Sequence, residues 1–257
     1  MQRAALFALI GIAMAATPYE QEIAEWRRAR EASLKAEGGW LSVAGLFWLD
    51  PGNNRIDDIP DSPVFHLENG KVTAEGREVK PDSSDVVKVG RLSLFVIQRA
   101  DKFGIRLKDP GSEYRRDFRG IDYFPADEHY RMRAKFIAEP RKIPILNILG
   151  QTEDSECPGY ALFTLNGQER KLYPILEEPG AKSLFFIFRD QTAGKETYGA
   201  GRFLDSDLPQ DGFVTLDFNK AYNPPCVFTP YATCPLPPKE NYLPVRLPVG
   251  EKKYGNH

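Results

Sequence analysis

The sequence is short of the residues that most often announce chemistry. Its 257 residues include three Cys, three His and three Met. The histidines, His66, His129 and His257, stand far apart, and no paired short Cys or His intervals mark a zinc site, so no metal is expected. Neither charge dominates: 34 Lys and Arg face 36 Asp and Glu, a formal net charge of -2. That balance lacks the broad positive field that nucleic acid or an anionic membrane surface requires, so neither is an expected partner. There is no Gly-x-Ser-x-Gly, no phosphate-cradling Gly-Lys-Ser/Thr loop and no βαβ context for a dinucleotide fingerprint. A serine hydrolase triad and a nucleotide cofactor thus have no motif to rest on, and no cofactor is expected.

Long apolar runs are missing too. The stretch Ala4–Ala16 (AALFALIGIAMAA) is shorter than the roughly 20 residues that cross a bilayer. Preceded by Arg3 and followed by Thr17-Pro18 and charged residues, it has the order of a secretory leader. Ala13-Met14-Ala15 supplies the small residues a leader peptidase accepts, which predicts cleavage after Ala15 and roughly 242 remaining residues. No Cys occupies the lipid-attachment position. The expectation is a periplasmic or secreted protein with no stable membrane insertion once residues 1–15 are removed. In such a compartment Cys226 and Cys234, eight positions apart in a Pro-rich loop, are expected to pair and leave Cys157 odd; three buried thiols are the alternative.

What is present is core material and turn chemistry. Hydrophobic residues make up 42% of the chain, with 16 Phe, 11 Tyr, 21 Gly and 21 Pro, a mixture that favours short strands and tight turns over a helical bundle. Thr17-Pro18-Tyr19-Glu20 reads as a capping box, and Tyr19, Ile23, Trp26 and Leu34 share one face of the helix it opens, with Glu31 and Lys35 paired on its outer side and Gly38-Gly39 at its end. After Gly39 the period becomes that of strands, with Asn69-Gly70 and Asn166-Gly167 marking two-residue hairpins. The fold class expected is all-β, an antiparallel sandwich or barrel in two consecutive units. The divisions are a leader at 1–15, a helix at 16–39, β units at 40–112 and 113–222, and a C-terminal strap at 223–257. Eight Pro between Asn223 and Pro248 predict that the strap is extended and lies across the surface of the second unit. In the linker 109–120, Arg115, Arg116 and Arg119 could hold an anion, although such a run is more often a solvated loop.

Five stretches of the chain carry a resemblance to a known family. GWLSVAGLFWLDPGNNR (39–55), VGRLSLFVIQR (89–99), KDPGSEYRRDFRGIDYFP (108–125), LFFIFRDQTAGKETYGAGRFL (184–204) and DFNKAYNPPCVFTPYATCPLPPKENYLPVRLPVGEK (217–252) resemble the bacterial and archaeal domain-of-unknown-function family 1684. That resemblance implies no activity, cofactor or catalytic residue. It does imply a forkhead-associated-like Phe-Gly-Ser-Asp stretch after Asn53-Asn54-Arg55. This chain reads Ile56-Asp57-Asp58-Ile59 there, without the Gly and Ser, so a phosphopeptide role is not expected.

Polar residues concentrate in the last third. Arg189, Asp190, Tyr198, Arg202, Asp217, Asn219, Tyr222, Asn223 and Tyr231 are the candidate ligand-binding set. A guanidinium offers a planar fork to a carboxylate of the protein or of a ligand, so if their faces converge Arg189 or Arg202 could pair with Asp217. Such a pair would stand either in a network fastening the Pro-rich strap to the barrel or around a ligand pocket roofed by Tyr222, Tyr231 and the strap. Gly199 and Gly201 remove side chains from what reads as a strand, which fits a bulge. The leading function is binding of a small acidic or hydroxylated ligand in an Arg/Asp/Tyr pocket of the C-terminal unit. One alternative is a carboxylate-dependent hydrolase of envelope saccharides or esters, using Asp190, Asp217 or Glu240. Another is a structural or interaction protein without a pocket. The oligomeric state is not legible.

Overall fold

The computed structural model describes residues 16–255; the expected leader at 1–15, and His257, lie outside the described residues. Thr17 opens α1 (Pro18–Lys35) with the full capping box: its Oγ1 accepts from Glu20 N at 3.2 Å, and Glu20 Oε2 accepts from Thr17 N at 2.7 Å. Tyr19, Ile23 and Leu34 are buried as the stripe requires, while Trp26 is half-buried. Glu31 makes no ion pair with Lys35. It accepts instead from Ile121 N at 3.3 Å, so a local pair gives way to a contact with the main body.

Eight strands come first: β1 (Val43–Trp48), β2 (Gly52–Asn54), β3 (Phe65–Glu68), β4 (Lys71–Ala74), β5 (Arg77–Glu78), β6 (Val87–Val89), β7 (Leu92–Arg99) and β8 (Lys102–Lys108). They form two sheets, ordered β1-β8-β7-β6 and β2-β3-β4-β5. Phe65, Val72, Leu94, Val96 and Ile105 fill the space between them. A single helical turn, α2 (Glu113–Arg116), leads on to β9 (Arg131–Leu146), β10 (Thr152–Leu165), β11 (Gln168–Leu172), β12 (Ser183–Phe188), β13 (Arg202–Asp207) and β14 (Phe213–Asp217). These make a sheet ordered β11-β10-β9-β14 and a ribbon of β12 and β13.

All strand pairs are antiparallel, and both Asn-Gly dipeptides take the positive φ of a two-residue hairpin turn. Among the described residues no sheet closes into a barrel. Phe163, Phe186, Phe188, Leu204, Leu216 and Phe218 form the second core, and each aromatic ring buried there is worth roughly 1.5–3 kcal/mol of removal from water. No helix of the described residues is long and apolar enough to cross a membrane.

The Pro-rich segment departs from expectation. It lacks regular strands, as its prolines dictate, but it does not lie across the surface. Leu243, Leu247 and Val249 belong to the second core and are at most 4% exposed. With few backbone donors to satisfy, such a segment can be buried provided its carbonyls find partners. Cys226 and Cys234 form a disulfide with Cα atoms 6.2 Å apart, and Cys157 is a free, buried thiol.

Candidate ligand site

The polar residues of the last third do not share one opening. Arg202, at the start of β13, is 1% exposed and faces inward. Its Nη2 donates to Asp190 Oδ1 at 3.2 Å and to Leu247 O at 3.0 Å, and its Nη1 donates to the carbonyls of Val249 and Glu251. Asp190 Oδ2 in turn accepts from Leu247 N at 2.8 Å, and its carboxylate also accepts from Thr192 Oγ1. Burial pulls the Arg202 pKa down against the opposing pull of Asp190. The partner expected for Arg202, Asp217, lies elsewhere: its Oδ1 accepts from Tyr19 Oη at 2.8 Å and from Asn219 N and Nδ2 at 3.2 and 3.1 Å.

Asn223 belongs to a third knot, where its N–H donates to Glu251 Oε2 at 2.7 Å and Arg30 Nε donates to Glu251 Oε1 at 3.0 Å. Arg189 is exposed and sits over the ring of Tyr242 at 5.8 Å. Tyr198 packs near Leu34 and Phe228, and Tyr231 stands edge-on to Tyr114 at 6.4 Å. The two glycines lie in the loop between β12 and β13 rather than in a strand. Gly201 takes φ +112, and a Cβ there would stand 2.5 Å from Phe188 O and 2.7 Å from Pro237 Cγ, so the close approach is to the β12 backbone and a proline ring of the strap, not to a ligand.

Of the nine, Tyr222 lines a cavity, and Asp217 lines a separate depression. A space of about 360 Å³ opens where α1, the β7 end, the β12–β13 ribbon and the strap meet. Trp40, Phe185, Phe203 and Tyr222 give it apolar walls, and Arg30, Arg99, Glu177 and Thr233 give it polar points. Phe203 stands edge-on between Phe185 at 4.8 Å and Tyr222 at 5.8 Å, which fixes all three rings. Tyr222 Oη donates to Asp205 Oδ2 at 2.9 Å, Arg30 covers the Tyr222 ring at 4.5 Å, and burial raises the phenol pKa.

The cations of this cavity differ in how they are held. Arg30 is neutralised by the fully buried Glu251, and Arg99 Nη1 meets Asp82 Oδ1 at 2.9 Å. Arg106, on β8 behind the wall, is 8% exposed and has no carboxylate within ion-pair distance among the described residues. Its guanidinium lies over the Trp40 ring at 5.1 Å, Nη2 reaches Thr233 Oγ1 at 3.5 Å, and Nε has no partner. Arg99 Nε donates to the same Thr233 oxygen at 2.8 Å. Burial and the neighbouring Arg99 bring the Arg106 pKa down to about 10, which leaves it charged at neutral pH.

Sequence reading missed Arg30, Arg99, Arg106 and the aromatic walls. A signal did exist in α1: Ile23, Arg27, Arg30 and Leu34 fall on one helical face, so the arginines stand at core-facing positions.

Comparison with known proteins adds no activity. A family model described as "Protein of unknown function (DUF1684)" matches residues 116–252, more than half of the chain. A solution NMR structure of an uncharacterised protein of Haloarcula marismortui is 32% identical, over 56% of this chain and 81% of that one, with a TM-score of 0.46. No curated protein matches.

Proposed function

The chain belongs to DUF1684, a family described as being of unknown function, and from the geometry of its cavity we propose that it is an exported protein that binds a small anionic ligand with an apolar body. Export is supported by the leader-like order of residues 1–15 and by a disulfide, which persists in oxidising compartments. We take residues 40–112 and 113–222 as the two β units between which the cavity lies, with the strap at 223–257 as one of its walls.

The observation that carries the reading is Arg106: a buried, charged guanidinium without a carboxylate, backing an aromatic cavity. An uncompensated buried charge is costly, and a ligand carboxylate, phosphate or sulfate would offset that cost through Arg106, Arg99 and the Thr233 hydroxyl. Phe185, Phe203 and Trp40 would take the apolar body, the usual division of labour in a small-molecule site.

Calorimetric titration with 2-naphthoate and with its uncharged analogue 2-naphthylmethanol tests this. The carboxylate is expected to bind at least tenfold more tightly, and Arg106→Met is expected to remove the difference. Equal affinity for both compounds, or binding of neither, would overturn the reading.

A further inference from the structure

A second depression, of about 340 Å³, lies on the far side of the Tyr222–Asp205 hydrogen bond, between α1, the start of β9 and the β13–β14 edge. Its wall includes Trp26, Arg131, Asp207, Thr215, Asp217 and Lys220. Three observations bear on what it takes. Trp26 occupies the buried stripe of α1 yet is half-exposed and belongs to none of the apolar clusters, so its indole is left facing this space.

Asp217 lines the depression and is 5% exposed; its Oδ1 carries all three of its hydrogen bonds, and its buried Oδ2 has no hydrogen-bond partner. A buried acceptor left open in a cavity wall is rare and asks for a donor. The cations are already engaged: Arg131 and Lys220 both meet Glu22, at 2.9 and 2.6 Å, and Lys220 Nζ stands 4.0 Å from Asp217 Oδ2. The depression therefore offers paired donors and acceptors beside an aromatic plate, without a free cation for an anion.

We propose that this depression is a saccharide subsite, separate from the cavity assigned above and with a different ligand class. A neutral pyranose matches both features, since its C–H face lies on an indole and its adjacent hydroxyls donate to a carboxylate while accepting from neighbouring side chains. Asp217 Oδ2 takes a sugar hydroxyl as donor, and Asp207 and Thr215 extend the polar rim.

The test uses the full exported chain carrying Trp40→Phe and Trp48→Phe, so that Trp26 is its sole indole. Its fluorescence is titrated with N,N′-diacetylchitobiose, cellobiose and maltose. At least one sugar is expected to give a saturable change, and Asp217→Asn, which keeps the Tyr19 contact, is expected to weaken it at least tenfold. Calorimetry with Trp26→Ala in the otherwise native chain should show the same loss without a change in thermal midpoint. No saturable response to any of the three sugars, an unchanged response in Asp217→Asn, or the same response to calcium chloride alone would overturn the proposal.

Discussion

Arg202 shows how a polar side chain can take the place of a missing strand. Its two terminal nitrogens satisfy carbonyls of Leu247, Val249 and Glu251, which the Pro-rich segment presents without a neighbouring ladder. The pair with Asp190, at 1% and 2% side-chain exposure, is buried on both sides, so removing one partner strands the other in a low-dielectric core. Arg202→Met should therefore cost about 3–5 kcal/mol, read as a lower urea midpoint at unchanged slope. A loss below 1 kcal/mol would mean that water reaches Asp190. The identity of these residues is plain in the sequence, and so is one clue to their burial: Arg202, Leu204 and Ser206 alternate on one face of β13, and all three are buried. The partner is what the sequence withholds. Asp190 and Asp217 are equally good carboxylates on paper, and the choice between them depends on where the loop from β12 to β13, residues 189–201, returns.

At the level of elements, local chemistry was most legible where it needs no distant partner. The capping box of α1 and the two Asn-Gly hairpins follow from neighbours in sequence, and the antiparallel all-β class follows from their repetition. Prolines misled. Pro140 and Pro144 are residues that ordinarily interrupt a strand, yet Arg131–Leu146 is one strand of 16 residues. Pro140 falls beside a register shift against β10, where Cys157 pairs with Arg141 and Gly159 with Ala138, so its missing N–H costs no ladder bond. Tertiary contacts of α1 were equally hidden, because Glu22 finds Arg131 and Lys220 more than a hundred residues away. That bridging has a pH consequence. The hydrogen bond from Lys220, helped by both cations, holds the Glu22 carboxyl below its ordinary value. An acid with a depressed folded pKa stabilises the fold at pH above its unfolded value, near 4.3, and that contribution is lost as pH falls through the folded value. In Glu22→Gln the acid limb of a stability-versus-pH curve should be shallower below about pH 4.5, with little change in slope above pH 6. An identical acid limb would place the coupling elsewhere.

Over the whole molecule, the C-terminal segment binds the sheets together. Thr229 Oγ1 donates to Val43 O at 2.9 Å, Arg99 reaches Thr233, and Asn241 Nδ2 donates to Tyr173 O and Ile187 O, so residues 226–251 touch both pairs of sheets. A strap on the surface would be dispensable; this one completes the second core with Leu243, Leu247 and Val249 and walls the aromatic cavity with Pro225, Cys234 and Pro235. Its hydrophobic residues were visible in the sequence, but with neither a 2 nor a 3.6 period they gave no hint of which side faces inward. The disulfide fixes the part of this segment nearest the first sheet, and Cys234 N and Cys226 N each donate to the other's sulfur. Closing so short a loop removes denatured-state freedom worth roughly 2.5 kcal/mol. Cys226→Ser with Cys234→Ser should lower unfolding stability by about that amount in urea. Without reductant the native wild type should alkylate at no site, and the unfolded protein at Cys157 alone, since that thiol is 2% exposed when folded. Labelling of three thiols after unfolding without reductant would show that the segment is held by packing and not by a covalent bond.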